Sequence, residues 1–411
     1  MEKIIKFSDK KINDVRLDFK RYLYKDIVRI QKSEVITGIV GVRWIGKTTL
    51  LLQIAKENKL KWKKVVYFSC DYLFVLWKRI FDIIEYFYDE YDIREFYVDE
   101  VHKQKDWEQD LKTAYDIYED EIRIIFSWSS SVDLIRWTYD LSRRAILKKL
   151  EKFSFREYLN FSYNFNFKTI NIEEIFENSI KTSYEIYNNE KNILKLFKEY
   201  IEYWEFGFFK DRDKENFIPK IENIINKLIY EDISNYYNVQ TQNISLFFKI
   251  LKFIANSWPS NLNYSSIAKQ IETTSDTVKY YIEILQEIWI LNVIWKEGKI
   301  SVNLRKSKKA LFEVNNLSQL LFDEINTNFS IWLLRESSVV SNLKKVWEIY
   351  YSDLGDYLFI YKNKRYILEV WGKNKTYKQL KWVENWFLIK DDISISENKK
   401  EIPIWMLGLL Y

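Results

Sequence analysis

The residues with the clearest chemical meaning run from Gly41 to Thr48, Gly-Val-Arg-Trp-Ile-Gly-Lys-Thr. They satisfy the pattern G-x-x-x-x-G-K-[ST] between an apolar run, Val35–Val40, and a helix-like stretch, Thr48–Asn58. That chemistry needs backbone N–H groups turned inward around phosphates, with glycine supplying the unusual dihedrals. Lys47 would bring a cation to the β- and γ-phosphates, and Thr48 a hydroxyl to Mg²⁺. A second group follows an apolar run at Glu95–Val98 and consists of Asp99 and Glu100. Asp99 at a strand end can hold Mg²⁺ through water, and Glu100 can polarise the attacking water. A third lies at Ser127-Trp-Ser129-Ser130-Ser131, where Ser129 could sense a γ-phosphate or cap a following helix. Arg143 and Arg144 come next, as an arginine finger from the same or a neighbouring subunit, or as surface charges. His102 either reports on the acidic pair or caps a loop.

These groups have to be positioned by strands. Val35–Val40, Lys64–Ser69, Glu95–Val98 and Ile122–Ser127 are each apolar and each runs into polar residues. Alternation with amphipathic stretches predicts a parallel α/β sheet whose ligands bind at the carboxyl edge. Residues 161–243 have helical spacing and read as a lid. Residues 244–310 give helices at Ile244–Ser257, Ser265–Ile271 and Asp276–Ile288, then two strands around Lys296–Lys299, the order of a winged helix-turn-helix. Residues 311–411 open with the helix-like LFEVNNLSQLLFDEI and continue with strands at Tyr357–Tyr361, Arg365–Val370 and Pro403–Leu407.

Composition sets limits. The chain has 411 residues, a formal net charge of +5, one cysteine (Cys70) and one histidine. An intrachain disulfide framework, a structural zinc site, and a Ser-His or Cys-His catalytic system away from residue 102 are excluded. No stretch approaches the roughly 18 apolar residues of a membrane span, and the charged start argues against a secretory signal. A soluble, cytoplasmic protein is expected. Its charge is too mild to imply nucleic acid, and the segment Asp276–Ile288, with Asp276, Lys279, Glu283 and Glu287, is net acidic where a DNA-reading helix needs cations.

The segments GVRWIGKTTLLLQ, YVDEVHKQKDWEQDLKTAYD, FSWSSS and DLSRRAILKKLEKFSFREYL together resemble the prokaryotic AAA-type P-loop ATPases that carry a C-terminal domain of unknown function. NYSSIAKQIETTSDTVKYYIEILQE, NLRKSKKALFEVNNLSQLL and EVWGKNKTYKQL fit the same family, and the resemblance extends from about Arg21 to Tyr411. It implies an α/β fold: a AAA-type parallel-sheet core at 13–160, the helical lid at 161–243, the winged helix at 244–310, and a restriction-endonuclease-like domain at 311–411. Gly41, Arg43, Trp44, Gly46, Lys47, Thr48 and Thr49 are then the expected nucleotide-binding residues. Thr48 and Asp99 would hold the metal, Glu100 would act on water, and Ser129 and Arg144 would be sensor and finger. The expected cofactors are ATP and Mg²⁺. The expected activity is slow ATP hydrolysis driving a conformational switch, toward a protein partner or a neighbouring subunit and without a membrane. The alternative is a DNA-acting module with ATP-gated binding or weak nuclease activity. For a nuclease, Asp356 and Glu369 are present, but residue 371 is Trp and the nearest lysine is Lys373, out of phase on the strand.

Glycine is anomalous. Average usage predicts roughly 29 in a chain of this length, yet there are 8, beside 16 tryptophans. Trp44 sits inside the phosphate loop, Trp128 interrupts a run of small residues, Trp371 precedes Gly372, and the family resemblance expects glycine at these positions and at Trp137. Two explanations stand: real indoles, or UGA codons that the cell reads as glycine.

Overall fold

The computed structural model describes residues 1–33, 35–129, 144–207, 215–233, 237, 239, 243–257, 262–297, 308–322, 327–371 and 384–411. Ser130, Ser131, Trp137, Arg143, Gly298, Lys299, Gly372 and Lys373 lie outside the described residues. The chain divides into two compact units, Met1–Lys152 and Phe153–Tyr411. The first ends eight residues before the expected boundary at 160, because Phe153 already donates its amide to Glu205 of the second.

The first unit contains α1 (Glu2–Asp14), α2 (Tyr24–Ile30), β1 (Ile36–Val40), α3 (Lys47–Leu60), β2 (Val65–Ser69), α4 (Ile80–Tyr91), β3 (Glu95–Asp99), α5 (Trp107–Tyr118), β4 (Arg123–Trp128) and β5 (Ala145–Lys149). Their five strands form one sheet in the order β2-β3-β4-β1-β5, with every pairing parallel. A parallel sheet is covered on both faces, so its strands read as continuous apolar runs. Phe96, Tyr97 and Val98 of β3 and Ile124, Ile125 and Phe126 of β4 are accordingly buried. Four of the strands were legible in this way. β5 was not, because its sequence, AILKK, is half polar and only partly buried at the sheet edge. α1 was also unforeseen; it buries Ile4, Ser8 and Ile12 at helical spacing, and Ser8 Oγ accepts the Tyr67 amide of edge strand β2 at 2.8 Å.

Register decides what meets at the carboxyl edge. Val40 pairs with Trp128 and Lys149, and Ser69 with Asp99. The chain leaving β1, the acidic pair after β3 and the serine after β4 therefore emerge at one edge. β4 lies between the loop-bearing strand and the acidic strand.

The second unit begins with helices α6 (Phe155–Tyr163), α7 (Ile172–Phe176), α8 (Ser179–Asn189), α9 (Ile193–Glu199), a π-helical turn at Tyr200–Trp204, and α10 (Phe217–Lys227). Then come α11 (Ile244–Ala255), α12 (Tyr264–Ile271), α13 (Ser275–Glu287) and the antiparallel pair β6 (Leu291–Trp295) and β7 (Lys308–Phe312). α14 (Asn315–Gln319) and α15 (Thr327–Leu343) lead into β8 (Glu348–Tyr351), β9 (Tyr357–Tyr361), β10 (Lys364–Trp371), β11 (Trp386–Lys390) and β12 (Glu401–Pro403). This sheet has the order β12-β11-β10-β9-β8, antiparallel from β8 to β10 and parallel from β10 to β12.

Two local expectations were wrong. The segment read as one helix from Leu311 opens as strand, since Leu311 and Phe312 pair with Asn292 and Leu291, and among its described residues the helix is α14. The final strand is shifted: β12 ends at Pro403, and Ile404–Leu409 form a 3-10 helix whose six residues are all buried. A run buried on every side carries no alternation to separate helix from strand.

Candidate functional site

The loop after β1 is shaped by its glycines. Gly41 has φ 149°, and a Cβ there would meet the Leu150 carbonyl oxygen at 2.5 Å and Ile45 Cδ1 at 2.7 Å. Gly46, φ 98°, is the left-handed residue on which α3 begins. Lys47, the first residue of α3, is buried, and its Nζ donates to the Gly41 and Val42 carbonyls at 2.9 Å each. Thr48 and Thr49 follow in the first turn, whose amides point out of the helix N-terminus. Arg43 and Trp44 lie between the two glycines; Arg43 is partly buried, and half of Trp44 is exposed.

Asp99 is the centre of the polar cluster. It is 3% exposed. One carboxylate oxygen accepts from Thr48 Oγ1 at 2.8 Å and from the Tyr67 hydroxyl at 3.0 Å, and the other accepts from Ser127 Oγ. Burial, then the neighbouring Glu100 charge, push its titration up to about 6, against the pull of these three donors. All the groups around it are hard oxygen donors. Such a set suits Mg²⁺, which takes one or two protein ligands and fills its octahedron with water and substrate phosphate. Among the described residues no group of three or more His, Cys, Asp or Glu could hold a metal by itself.

Glu100 turns away from β3 in a left-handed conformation, φ 52°. Its Oε2 accepts from Ser129 Oγ at 2.9 Å and lies 3.2 Å from His102 Nε2. Burial and the cations of Lys103, Arg43 and Lys47 hold the His102 imidazole well below its usual range. It is therefore neutral at pH 7, and its 3.2 Å approach to Glu100 is not an ion pair.

The structure thus brings Gly41, Gly46, Lys47, Thr48, Asp99, Glu100 and Ser129 to one edge, with Arg43, Trp44 and Thr49 on the same loop and turn. Arg144 is elsewhere. It precedes β5, whose first residue, Ala145, pairs with Ile36 at the amino end of β1. Five strand residues, roughly 16 Å at 3.3 Å each, separate that edge from the phosphate loop. Its guanidinium is engaged with Asp116 of α5, Nε donating to Oδ1 at 2.8 Å. Residues 130–143, which include the other serines and Arg143, lie outside the described residues.

Sequence reasoning missed Arg21. It is buried, its NH1 donates to the Ile45 carbonyl at 2.5 Å, and its NH2 donates to those of Glu151 and Lys152 at 2.7 and 3.1 Å. The guanidinium ties the phosphate loop to the chain beyond β5. It also lies 3.7 Å from where a Gly46 Cβ would stand. Nothing in the spacing around Arg21 distinguishes it from other basic residues near the start.

In the second unit, Asp356 accepts the Val370 amide at 2.8 Å, and Trp371, where a nuclease would need lysine, packs edge-on against Trp332 at 4.1 Å. No helix among the described residues is long and apolar enough to cross a membrane.

Residues 33–159 match the family described as AAA domain, and residues 197–313 match Domain of unknown function (DUF8612). The chain is 29% identical over 301 residues to Uncharacterized protein MJ1637 of Methanocaldococcus jannaschii, covering 68% of this chain and 61% of that protein. Among solved structures it is similar to the Walker-type ATPase PABY2304 of Pyrococcus abyssi, at 15% identity and TM-score 0.42, over 74% of this chain and 95% of that one. AMPPCP-bound DnaA from Aquifex aeolicus is similar at 19% identity and TM-score 0.27, over 67% and 91%. Both scores are low. The family match over the strand-loop-helix region and the parallel sheet itself support a P-loop domain of the AAA type.

Proposed function

We propose that the chain binds ATP with Mg²⁺ at the carboxyl edge of the first sheet and hydrolyses it slowly as a conformational switch. The observation that carries this reading is the Thr48–Asp99 hydrogen bond, which joins the phosphate loop to the acidic strand across the end of β4. Lys47 would give up its two loop carbonyls to donate to β- and γ-phosphate oxygens. The loop amides and the first turn of α3 would take the remaining phosphate charge. Thr48 Oγ1 and the Asp99 carboxylate would hold Mg²⁺, which supplies charge neutralisation between the β- and γ-phosphates. Glu100 would orient the attacking water and take its proton, and Ser129, already hydrogen-bonded to that carboxylate, would link its position to the γ-phosphate.

Slow turnover follows from the ties on Glu100. Ser129 and His102 both address Oε2, the atom a water would have to share. A partner or a neighbouring subunit that draws Ser129 away would release it. Arg144, at the opposite edge of its own sheet, could serve only a neighbour's site. The second unit would carry the response through a winged helix at 244–310 and a restriction-endonuclease-like but nuclease-inactive domain. The test is nucleotide titration and phosphate release by the purified chain with Mg²⁺, set against Lys47→Ala. Absence of ATP binding in the parent protein would end this reading.

A further inference from the structure

Three tryptophans occupy backbone positions built for glycine. Trp44 has φ 70°, Trp62 φ 65° and Trp289 φ 58°. Among the described residues the other positive-φ positions not held by glycine are Asp, Asn, Glu or Lys, all of them polar and unbranched at Cβ. A left-handed conformation crowds any Cβ against the following carbonyl, and a bulky side chain there is an outlier.

Two of the three sites are defined by a hydrogen-bond pattern that has nothing to do with nucleotide. At the end of α3, Trp62 N–H donates to Lys59 O at 3.0 Å and Lys63 N–H to Asn58 O at 3.1 Å. At the end of α13, Trp289 N–H donates to Gln286 O at 3.1 Å and Ile290 N–H to Leu285 O at 3.0 Å. Each is the paired closure in which a left-handed residue just past the last turn satisfies the helix's orphan carbonyls. Glycine is the residue that position most often carries, and polar residues such as Glu272 at the end of α12 can stand in for it, but a bulky indole is the outlier there. Burial does not compensate at Trp62, whose residue is 95% exposed. Trp44 is the third site, between the two glycines of a loop that must wrap phosphates, with half its surface in solvent.

Trp405 and Trp107 differ on every count: both are buried, neither has positive φ, and Trp107 packs on Phe126 at 5.6 Å. The misplaced indoles are a subset with one conformational property. Combined with 8 glycines against 16 tryptophans, that property has a single economical cause.

We infer that residues 44, 62 and 289 are glycine in the protein as its own cell makes it, their codons being UGA read as glycine. The native phosphate loop is then Gly-Val-Arg-Gly-Ile-Gly-Lys-Thr, with three glycines. Trp62 and Trp289 make the inference independent of the ATP reading. Trp128 and Trp371 lack positive φ, so backbone geometry assigns them to neither class.

The test has two arms. The gene should carry TGA at codons 44, 62 and 289, and peptides from the source cell spanning them should each be lighter by the CH₂-indole-for-hydrogen difference. A TGG codon or an indole-bearing native peptide at any of the three overturns the inference for the set. In recombinant protein, Trp62→Gly and Trp289→Gly should each raise the thermal midpoint, by about 2 °C, while Trp405→Gly lowers it. A midpoint lowered by both cap substitutions would mean that the indoles are native to those caps.

Discussion

Ser129 Oγ donates to Glu100 Oε2 at 2.9 Å, joining the residue after β4 to the residue after β3. The bond exists because β3 and β4 are parallel neighbours whose carboxyl ends are level, Val98 opposite Phe126. It also gives the acid a fixed direction, since the left-handed turn at Glu100 and the His102 contact act on the same carboxylate. A carboxylate so restrained is orderly but occupied.

Glu100→Gln should therefore leave ATP affinity within about twofold and remove turnover, because water polarisation matters only in the transition state. Ser129→Ala should separate restraint from catalysis: if the hydroxyl only competes with water for Oε2, kcat rises while KM stays. Steady-state phosphate release on both variants checks this. Turnover by Glu100→Gln at the parent rate removes Glu100 from its role.

Lys47→Ala should weaken ATP binding by about 1.5–3 kcal/mol, the range for a hydrogen bond to a charged group. The same substitution strips donors from the Gly41 and Val42 carbonyls, so the loop loses order as well. Calorimetric titration reads the first effect. Far-ultraviolet circular dichroism should show the parent helix content, and an unchanged affinity would refute the phosphate-loop assignment.

The first-unit sheet was legible because a parallel sheet turns burial on both faces into apolar runs, as in VVYFS and EFYVD. The loop and acidic pair were legible because their chemistry restricts residue type: Gly41 admits no Cβ, and Asp99 must end a strand. Arg21 was not, since a guanidinium donating to three backbone carbonyls is invisible to spacing. Arg144 was expected as a finger for its own or a neighbouring subunit because of the resemblance, which carries no register. A parallel strand starts at the far edge, so Arg144, just before Ala145, stands a strand length from the loop of its own chain.

Arg144→Ala should thus act on packing before chemistry. Its partner Asp116 is close to half exposed, so the lost pair should cost no more than about 1 kcal/mol. ATP binding by dilute protein should be unaffected. If turnover depends on protein concentration and the variant abolishes only that dependence, Arg144 acts on a neighbour. Loss of activity at every concentration, with affinity intact, would place it in its own site and contradict the strand register.

Glu336 of α15 is buried beside the Tyr357 hydroxyl, which donates to it, and Lys309 Nζ, 3.4 Å away. Burial raises its titration from 4.5 to about 7, with Asp356 adding to the rise and Lys309 opposing it. Below pH 4.5 the folded and unfolded chains both hold the proton. As pH climbs toward 7 the unfolded chain releases a proton that the folded chain keeps, so stability falls through that window and the loss is complete above it. Glu336→Gln keeps an acceptor for Tyr357 and removes the titration. Its advantage over the parent should be near zero at pH 4.5 and grow to about 3 kcal/mol at pH 8. Urea unfolding of the two proteins at pH 4.5, 6 and 8 measures it. An advantage that does not change with pH would mean that Glu336 ionises in the folded state much as it does in water.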